Sequence, residues 1–275
     1  MRSSLSTEHA REIRRVRDLL GDKSLAQILN LYMQDKYDPE RFVQTAKLLR
    51  AATFMGDLFG TRANAEFLAD ERFMEAYDRW TSIGSWSGVD FRWRLYTAIE
   101  MAALALRRDG VFVECGVHRG STSLSLMTFH TELGNTRQYW MFDTFEGVIA
   151  EQMTEMERDE LSRYGEYYSS SVYDEVVHTF SSFPNVRIIK GVVPETLSAF
   201  DGGDVAFLHI DMNVAYPEVE ALKFFWPKMA PGGVVLFDDY GFPSHEEQKR
   251  QLDALAGELD ASIMLLPTGQ GLLFK

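Results

Sequence analysis

The sequence predicts an α/β fold: a doubly wound, seven-stranded and mostly parallel sheet, preceded by a helical extension. From about residue 110, short apolar runs alternate with helical stretches, which is typical of a parallel sheet covered on both faces. The last two runs are separated by residues 267–271 alone, too few for the crossover helix that a parallel connection requires. The two final strands are therefore predicted to form an antiparallel hairpin.

Residues 1 to 108 are predicted to be helical throughout. Apolar residues recur there at helical spacing, for example at Phe73, Met74 and Tyr77, and the breaks fall at glycine and proline. A last helix over residues 93–107 leads into the alternating region. The chain is therefore divided into a helical N-terminal extension, residues 1–92, and an α/β domain, residues 93–275.

The alternating region supplies seven strands and five intervening helices. The predicted strands are residues 111–115, 139–142, 186–189, 205–210, 234–237, 263–266 and 272–274. The predicted helices are residues 121–133, 172–181, 194–200, 217–228 and 244–258. The acidic segment from residue 144 to about 171 is long for a strand–helix connection, which favours an exposed functional lid.

Composition excludes several classes of partner. The formal net charge is −13, and an acidic surface repels the phosphate backbone, so nucleic acid is not expected as a partner. The basic run at residues 11–17 is interpreted as a solvated helix face. The single cysteine, Cys115, excludes an intrachain disulfide. No secretory signal and no apolar run of the ~20 residues that span a membrane are apparent, so a cytoplasmic location without a membrane partner is predicted.

A glycine-marked turn follows the first strand of the sheet. Glu114 ends the strand, Gly116 and Gly120 allow a tight turn, and Ser121 and Thr122 are expected to cap the next helix. This E-x-G-x-x-x-G pattern is not the G-x-G-x-x-G that cradles a pyrophosphate. It favours a ligand site for a molecule without phosphate, in which the Glu114 carboxylate would suit a cationic group. A purely structural turn is the alternative.

The second strand ends at Asp143. An acidic residue at this strand end, roughly 20 residues after the glycine turn, is placed to bind ribose hydroxyls. The alternative is that Asp143 only caps the next turn.

Three aspartates lie at the ends of two later strands. Asp211 follows the strand 205–210, and Asp238 and Asp239 follow the strand 234–237. Carboxylates that meet at one sheet edge repel each other unless a cation or protons compensate, and their hard oxygen atoms suit Mg²⁺. A magnesium-type site is therefore predicted. The alternatives are that Asp238 and Asp239 cap a helix, or that Asp211 contacts only substrate.

Lone histidines and the cysteine are weaker signals. His209 alternates with its strand neighbours and is assigned a structural role, and Cys115 is expected to be a small packed residue. His245 opens the last long helix, where it either caps the helix or faces the site. His118 lies in the glycine turn.

Taken together, V-E-C-G-V-x-R-G, F-D-T-F-E-G, I-D-x-N and D-D-Y-G resemble the macrocin O-methyltransferase (TylF) family over about residues 93–275. The resemblance implies a Rossmann-like methyltransferase fold with S-adenosylmethionine as cofactor. It further implies Mg²⁺ or another divalent cation, and a small-molecule acceptor, a sugar hydroxyl on a natural-product glycoside such as an antibiotic.

The resemblance also assigns roles to individual residues. The cofactor pocket is expected to include Glu114, Cys115, Gly116, Gly120, Ser121, Thr122, Asp143, Thr144, Phe145, Gly191 and Asp211. The metal is expected on Asp211, Asp238 and Asp239, and the catalytic candidates are Asp211, Asp239 and His245. Residues 148–170 are expected to act as the lid.

Asn213 departs from the family's D-x-D pattern, whose second aspartate is a candidate general base. An amide does not take a proton near neutral pH, so Asp211, Asp239 or His245 must act instead, or the metal alone activates the hydroxyl. Two other functions stay open, methylation of a catechol-like phenol and a non-catalytic scaffold that binds the cofactor. A nicotinamide oxidoreductase is disfavoured by the missing G-x-G-x-x-G. Exposed N-terminal helices favour a homo-oligomer, and the acceptor's identity is not encoded in any motif.

Overall fold

The computed structural model describes residues 47, 51–56, 59–84, 89–161 and 171–275. The chain divides into two compact units, Met1–Glu66 and Phe67–Lys275. Most of the helices predicted before residue 50, and the basic run at residues 11–17, lie outside the described residues. Within the described part, no helix combines the length and the apolarity that crossing a membrane requires.

The first unit contains a small hairpin. Strand β1 (Phe54–Gly56) pairs antiparallel with β2 (Phe59–Thr61). The Phe54 and Phe59 rings lie 6.4 Å apart. This hairpin corrects the prediction that residues 1–108 are helical throughout. Closely spaced aromatic and glycine residues favour extended chain over helix, and the 3.6-residue periodicity is too short here to outweigh them.

The second unit consists of eight described α-helices and a seven-stranded sheet. The helices are α1 (Glu71–Ser82), α2 (Arg92–Ala105), α3 (Ser121–Phe129), α4 (Thr131–Asn135), α5 (Glu155–Leu161), α6 (Tyr173–Thr179), α7 (Ala215–Phe225) and α8 (Glu246–Glu258). The strands are β3 (Val111–Cys115), β4 (Tyr139–Asp143), β5 (Val186–Lys190), β6 (Val205–Ile210), β7 (Met229–Phe237), β8 (Met264–Leu265) and β9 (Gly271–Phe274). Short 3-10 helices cover Glu66–Ala69, Ala150–Gln152, Glu195–Ala199 and Trp226–Lys228.

The sheet has the order β5-β4-β3-β6-β7-β9-β8. The first five strands in this order are parallel, and β9 is antiparallel to both β7 and β8. The predicted fold class is therefore confirmed, including the terminal hairpin. The strand order reverses between β3 and β6, and this switch point is where open α/β sheets bind ligands.

Side chains alternate between two cores, one on each face of the sheet. Phe112 and Phe207 face the first core with α1, α2 and α3, and Val113 and Leu208 face the second with α7 and α8. Asp70 is the N-cap of helix α1, and its carboxylate accepts the backbone N–H of Arg72. Helix α1 buries its apolar face in the first core. The predicted division at residue 92 separates α1 from the α/β domain. Helix α1 nevertheless packs in the first core of that domain, and the division stays a prediction.

The boundaries of a few elements differ from their predictions. The predicted helix 121–133 is broken at His130 into α3 and α4, and the predicted helix 194–200 is a 3-10 turn. Strand β7 begins at Met229 and so includes Gly232 and Gly233, which lie outside the predicted strand 234–237. The first two differences change an element within its predicted range, and the third moves an element end, because tertiary context outweighs local preference.

Candidate active site

The glycine turn after β3 and the loop after β6 are in direct backbone contact. Gly116 has φ +89° and donates its N–H to Phe142 O at 2.9 Å. A Cβ at Gly116 would overlap the carbonyl oxygen of Asp211 and lie 2.9 Å from the backbone nitrogen of Met212. Asp211 N–H donates in turn to Cys115 O at 2.8 Å. The predicted cofactor turn and the predicted metal ligand Asp211 are thus fixed relative to each other by main-chain atoms.

Gly120, and not Ser121 or Thr122, occupies the N-cap position of α3. This corrects the predicted capping. Gly120 has φ +83°, and a Cβ there would lie 2.5 Å from the Phe180 ring, so the turn requires glycine at the position a capping side chain would take. Ser121 and Thr122 form the buried first turn of the helix instead.

Asp143 connects the ends of three strands. Its carboxylate accepts the backbone N–H groups of Val117 at 2.5 Å, His118 at 2.8 Å and Phe145 at 2.5 Å. Its backbone carbonyl accepts the N–H of Gly191 at 2.9 Å. The predicted cofactor residues on β3, β4 and β5 therefore meet at one sheet edge. Binding of ribose by Asp143 stays a prediction, because its oxygens already hold the two turns.

Thr144 stabilises the turn after β4. Its hydroxyl donates to Gly147 O at 2.6 Å and accepts the N–H of Glu146 at 3.2 Å. Phe145 adopts φ +55° and is buried, with its ring 5.4 Å from that of Tyr173. Thr144 thus closes the turn, and Phe145 anchors it in the first core.

The Glu114 carboxylate lies inside the protein, with 1% of the residue exposed. Ser123 Oγ donates to it, Tyr139 OH donates at 3.4 Å, and His209 Nδ1 lies at 3.0 Å. Direct binding of a cofactor ammonium by Glu114 would have to replace one of these partners. The Cys115 side chain packs in the opposite core, as expected of a small packed residue, and burial raises its pKa well above the ordinary value.

Asp211, Asp238 and Asp239 form one cluster. One carboxylate oxygen from each lies within 4.8 Å of the others. Helix α8 begins at Glu246 with His245 in the cap position, so neither Asp238 nor Asp239 caps it. The three aspartates therefore meet at the sheet edge, as their strand positions predict. The alternative that Asp238 and Asp239 cap the next helix is wrong.

Arg94 binds two of the three aspartates. It lies on α2 with 3% of the residue exposed. Its Nη1 donates to Asp238 Oδ2 at 2.6 Å, to Asp238 O at 2.8 Å and to Asp239 Oδ1 at 3.0 Å. Its Nη2 donates to Thr268 O at 3.3 Å, so the guanidinium fixes the loop after β7 against the terminal hairpin.

The charges of the cluster fit a divalent cation. Arg94 offsets one of three carboxylates. Burial and the charges of Asp238 and Asp239 raise the pKa of Asp211 well above its ordinary value. Asp238 differs, because Arg94 and His209 outweigh its burial and lower its pKa. The donor atoms are carboxylate oxygens, which Mg²⁺ prefers.

His209 joins the two halves of the site. Its Nδ1 lies 3.0 Å from Glu114 Oε1, and its Nε2 lies 3.7 Å from Asp238 Oδ1. Burial lowers the pKa of His209, but Asp238 and Glu114 together raise it well above the ordinary value. Its structural role stays the interpretation, now as a buried bridge between β3 and the aspartate cluster.

Asn213 and His245 face each other beside the cluster. Asn213 has φ +61°, a conformation that asparagine tolerates better than most residues. His245 makes no capping hydrogen bond with its side chain. Its Nε2 lies 3.4 Å from Asn213 Oδ1 and 4.0 Å from Asp239 Oδ2. His245 thus occupies the N-cap position of α8 while its imidazole faces the cluster, and its catalytic role stays a prediction.

A buried carboxylate supports the loop that carries Asn213. Glu218 Oε1 accepts the N–H groups of Met212 at 3.0 Å and Asn213 at 3.1 Å, and the Gln248 amide at 2.7 Å. Burial raises the pKa of Glu218 from 4.5 to about 8, although the bonds from Met212 and Gln248 lower it.

We expect Glu218→Gln to remove a pH-dependent loss of stability. Between pH 4.5 and about 8 the folded protein holds a proton on Glu218 that the unfolded chain has released, so stability falls as pH rises through this window. Each pKa unit corresponds to about 1.4 kcal/mol, so the variant should be more stable than wild type by about 2 kcal/mol or more at pH 8.5. Urea unfolding from pH 5 to 8.5 measures this. Parallel curves for the two proteins would contradict it.

Arg94 and Glu218 belong to no motif, so the sequence does not identify them as site residues. Arg94 left one signal, a charged residue within the apolar run of α2, where an unpaired guanidinium is costly. Glu218 resembled an ordinary acidic residue in the first turn of a helix, and its burial follows from the packing of α8 over α7.

A curated protein is similar to part of this chain. An 8-demethyl-8-(2,3-dimethoxy-alpha-L-rhamnosyl)-tetracenomycin-C 4'-O-methyltransferase from Streptomyces olivaceus is 29% identical over 142 residues, 48% of this chain and 54% of the relative. The chain thus matches about half the length of that curated relative.

Two solved structures share the fold. The O-methyltransferase NovP superposes with a TM-score of 0.57 at 22% identity, over 66% of this chain and 79% of NovP. CalS11, a calicheamicin methyltransferase, gives a TM-score of 0.54 at 19% identity, over 98% of this chain and 94% of CalS11. The family model described as macrocin O-methyltransferase (TylF) matches residues 29–254, more than half of the chain, and this protein therefore belongs to the macrocin O-methyltransferase family.

Proposed function

We propose that this protein transfers a methyl group from S-adenosylmethionine to a hydroxyl on the sugar of a natural-product glycoside, with the help of a divalent cation. The contact between Gly116 and the Asp211 loop carries the proposal, since it joins a phosphate-free glycine turn to an acidic cluster at the switch point of the sheet. Family membership supports the reaction. The name of the Streptomyces olivaceus relative supports the acceptor class, because it is a 4'-O-methyltransferase of a tetracenomycin that carries a rhamnosyl group.

When bound, S-adenosylmethionine would supply the methyl group, and the cation would supply the Lewis acidity that favours ionisation of a hydroxyl. Asp211, Asp238 and Asp239 would hold the cation. Arg94 keeps two of these carboxylates in place before any ligand arrives, which reduces the reorganisation that binding requires. Asp143 and the glycine turn would hold the cofactor on the neighbouring strands.

His245 is the side chain we propose as proton acceptor for the hydroxyl, in place of the family's second aspartate. Its Nδ1 lies 3.3 Å from the carbonyl of Pro243, which favours the proton on Nδ1 and leaves the Nε2 lone pair facing Asn213 and Asp239. Asn213 Oδ1, at 3.4 Å, would accept the N–H that forms on Nε2 once His245 has taken the proton. Asp211 and Asp239 are less suited, because both would be engaged as ligands.

Calorimetry with purified protein tests the proposal. We expect wild type to bind S-adenosylmethionine and, separately, Mg²⁺. The double variant Asp238→Ala/Asp239→Ala should lose the Mg²⁺ signal and retain cofactor binding, because the two substituted aspartates follow β7 and none of the proposed cofactor residues does. Activity with a glycosylated acceptor should then fall on chelation.

The possible outcomes separate the parts of the proposal. No cofactor binding by wild type would overturn the methyltransferase function. Cofactor binding without any Mg²⁺ signal, and without turnover on glycosides, would favour the non-catalytic scaffold. Turnover on catechols in place of glycosides would favour the phenol acceptor. The cytoplasmic location and the homo-oligomer stay predictions of the sequence.

A further inference from the structure

The segment after β4 lies against the site through two side-chain anchors. We call residues 148–161 the lid segment, the described part of the lid that the sequence predicts. Gln152 donates from its amide to Val193 O at 2.7 Å. The second anchor is Glu157, on helix α5, which has 5% of the residue exposed although its neighbours Glu155 and Met156 are exposed.

The two carboxylate oxygens of Glu157 accept hydrogen bonds from two different elements, the start of α5 and the start of α7. Oε2 accepts the backbone N–H and the hydroxyl of Thr154, both at 2.8 Å, which closes the first turn of α5 as a capping box. Oε1 accepts the N–H of Ala215 at 2.7 Å. Ala215 is the first residue of α7, so a side chain of the lid segment satisfies a free N–H at the start of the helix that follows the Asp211 loop.

The Asp211 loop is held from both sides by buried carboxylates. Glu218, inside α7, accepts the N–H groups of Met212 and Asn213, and Glu157 accepts that of Ala215. Asn213, between these bonds, is in the left-handed region with φ +61°. A sparsely populated backbone conformation persists where the surroundings hold it, and one of the two supports comes from outside the loop's own helix.

We infer that Glu157 is a positioning residue that makes the conformation of the Asp211–Asn213 loop depend on the docking of the lid segment. Docking delivers the acceptor for the Ala215 N–H, and undocking leaves that N–H without it. Binding a cation to Asp211 and docking the lid segment are then coupled in both directions, because each favours the same loop conformation. The inference about coupling to a cation rests on the proposed function, and the Glu157 contact itself does not.

Glu157→Gln is the sharpest substitution. The amide keeps the size of the side chain but retains one accepting oxygen. It can therefore serve Thr154 or Ala215 but not both, and its NH₂ group faces an N–H donor on the other side. Glu155→Gln is the matched control, since it makes the same charge change on the same helix at an exposed position.

Hydrogen exchange on the full chain tests the contact first, without metal. We expect Glu157→Gln to exchange at least fivefold faster than wild type both in the lid segment and at the amides of residues 212–215, and Glu155→Gln to match wild type at residues 212–215. Unchanged exchange at residues 212–215 in Glu157→Gln would overturn the inference, even if the lid segment exchanged faster.

Mg²⁺ then tests the coupling. In wild type, added Mg²⁺ should slow exchange in the lid segment as well as at residues 212–215, and in Glu157→Gln it should slow only the latter. Calorimetry should show Mg²⁺ binding weakened at least fivefold in Glu157→Gln and S-adenosylmethionine binding within twofold of wild type. If wild type binds no Mg²⁺, the metal part of the proposed function fails, and the Glu157 contact is judged on metal-free exchange alone. Equal Mg²⁺ protection of the lid segment in both proteins would overturn the coupling.

Discussion

Gly116→Ala should leave the protein unable to bind either S-adenosylmethionine or a divalent cation. The added methyl would overlap the Asp211 carbonyl group, and the backbone there has φ +89°, where a side chain is strained. The opposing atoms belong to the main chain of the sheet edge, so they cannot rotate away as a flexible side chain would. We expect a loss of more than about 4 kcal/mol of folding free energy, in the range of severe single substitutions.

Urea unfolding measures this loss, and Gly257→Ala is its control. Gly257 lies in α8 with open space around the position of a Cβ. Alanine there should stabilise the protein by about 0.5–1 kcal/mol through its higher helix propensity. Gly116→Ala within about 1 kcal/mol of wild type, with both ligands still bound, would show that the glycine turn and the Asp211 loop are not packed as described.

Arg94→Met should give the second large effect, and the effect should depend on metal. Removing one partner of a buried ion pair costs about 3–5 kcal/mol, because the remaining charges lose their compensation. Arg94 is buried and donates to both Asp238 and Asp239, so three carboxylates would remain without its guanidinium. In chelator, we expect this full loss of unfolding free energy.

Mg²⁺ should restore part of that stability, and it should stabilise Arg94→Met more than wild type. A cation that binds only the folded state adds to its stability, and the variant lacks the positive charge that repels the cation in wild type. Thermal unfolding in chelator and in millimolar Mg²⁺ measures both effects. Arg92→Met, on the same helix but paired with Asp90, should respond to Mg²⁺ as wild type does. Equal Mg²⁺ responses in Arg94→Met and wild type would place the cation elsewhere.

The sheet could be predicted closely because its signals are local. Each strand of the core, such as β3 or β6, is a short apolar run bounded by polar residues, and burial on both faces requires that composition. The antiparallel end followed from the length of residues 267–271, since no crossover helix fits there. The hairpin at β1 and β2 was missed because three-residue strands carry too little periodicity to be distinguished from a broken helix.

The sequence also identified some residues of the site and not others. Asp211, Asp238 and Asp239 were identifiable because parallel strands end at the same edge, so their positions in the chain predicted their meeting. The residues that support them come from distant elements, Arg94 from α2, Glu157 from the lid segment and Glu218 from α7. No spacing in the sequence relates these residues to the aspartates.

The sequence by itself determined the fold class, the family and the meeting of three aspartates, because each follows from hydrophobic periodicity or from a motif at a strand end. Tertiary structure alone decided which groups compensate and position that cluster. It turned Glu114 into the core toward His209, placed Gly120 in the cap position expected of Ser121 or Thr122, and left His245 facing Asn213. Those outcomes depend on which helix packs over which strand, and side-chain burial and pairing are fixed by that packing and not by local sequence.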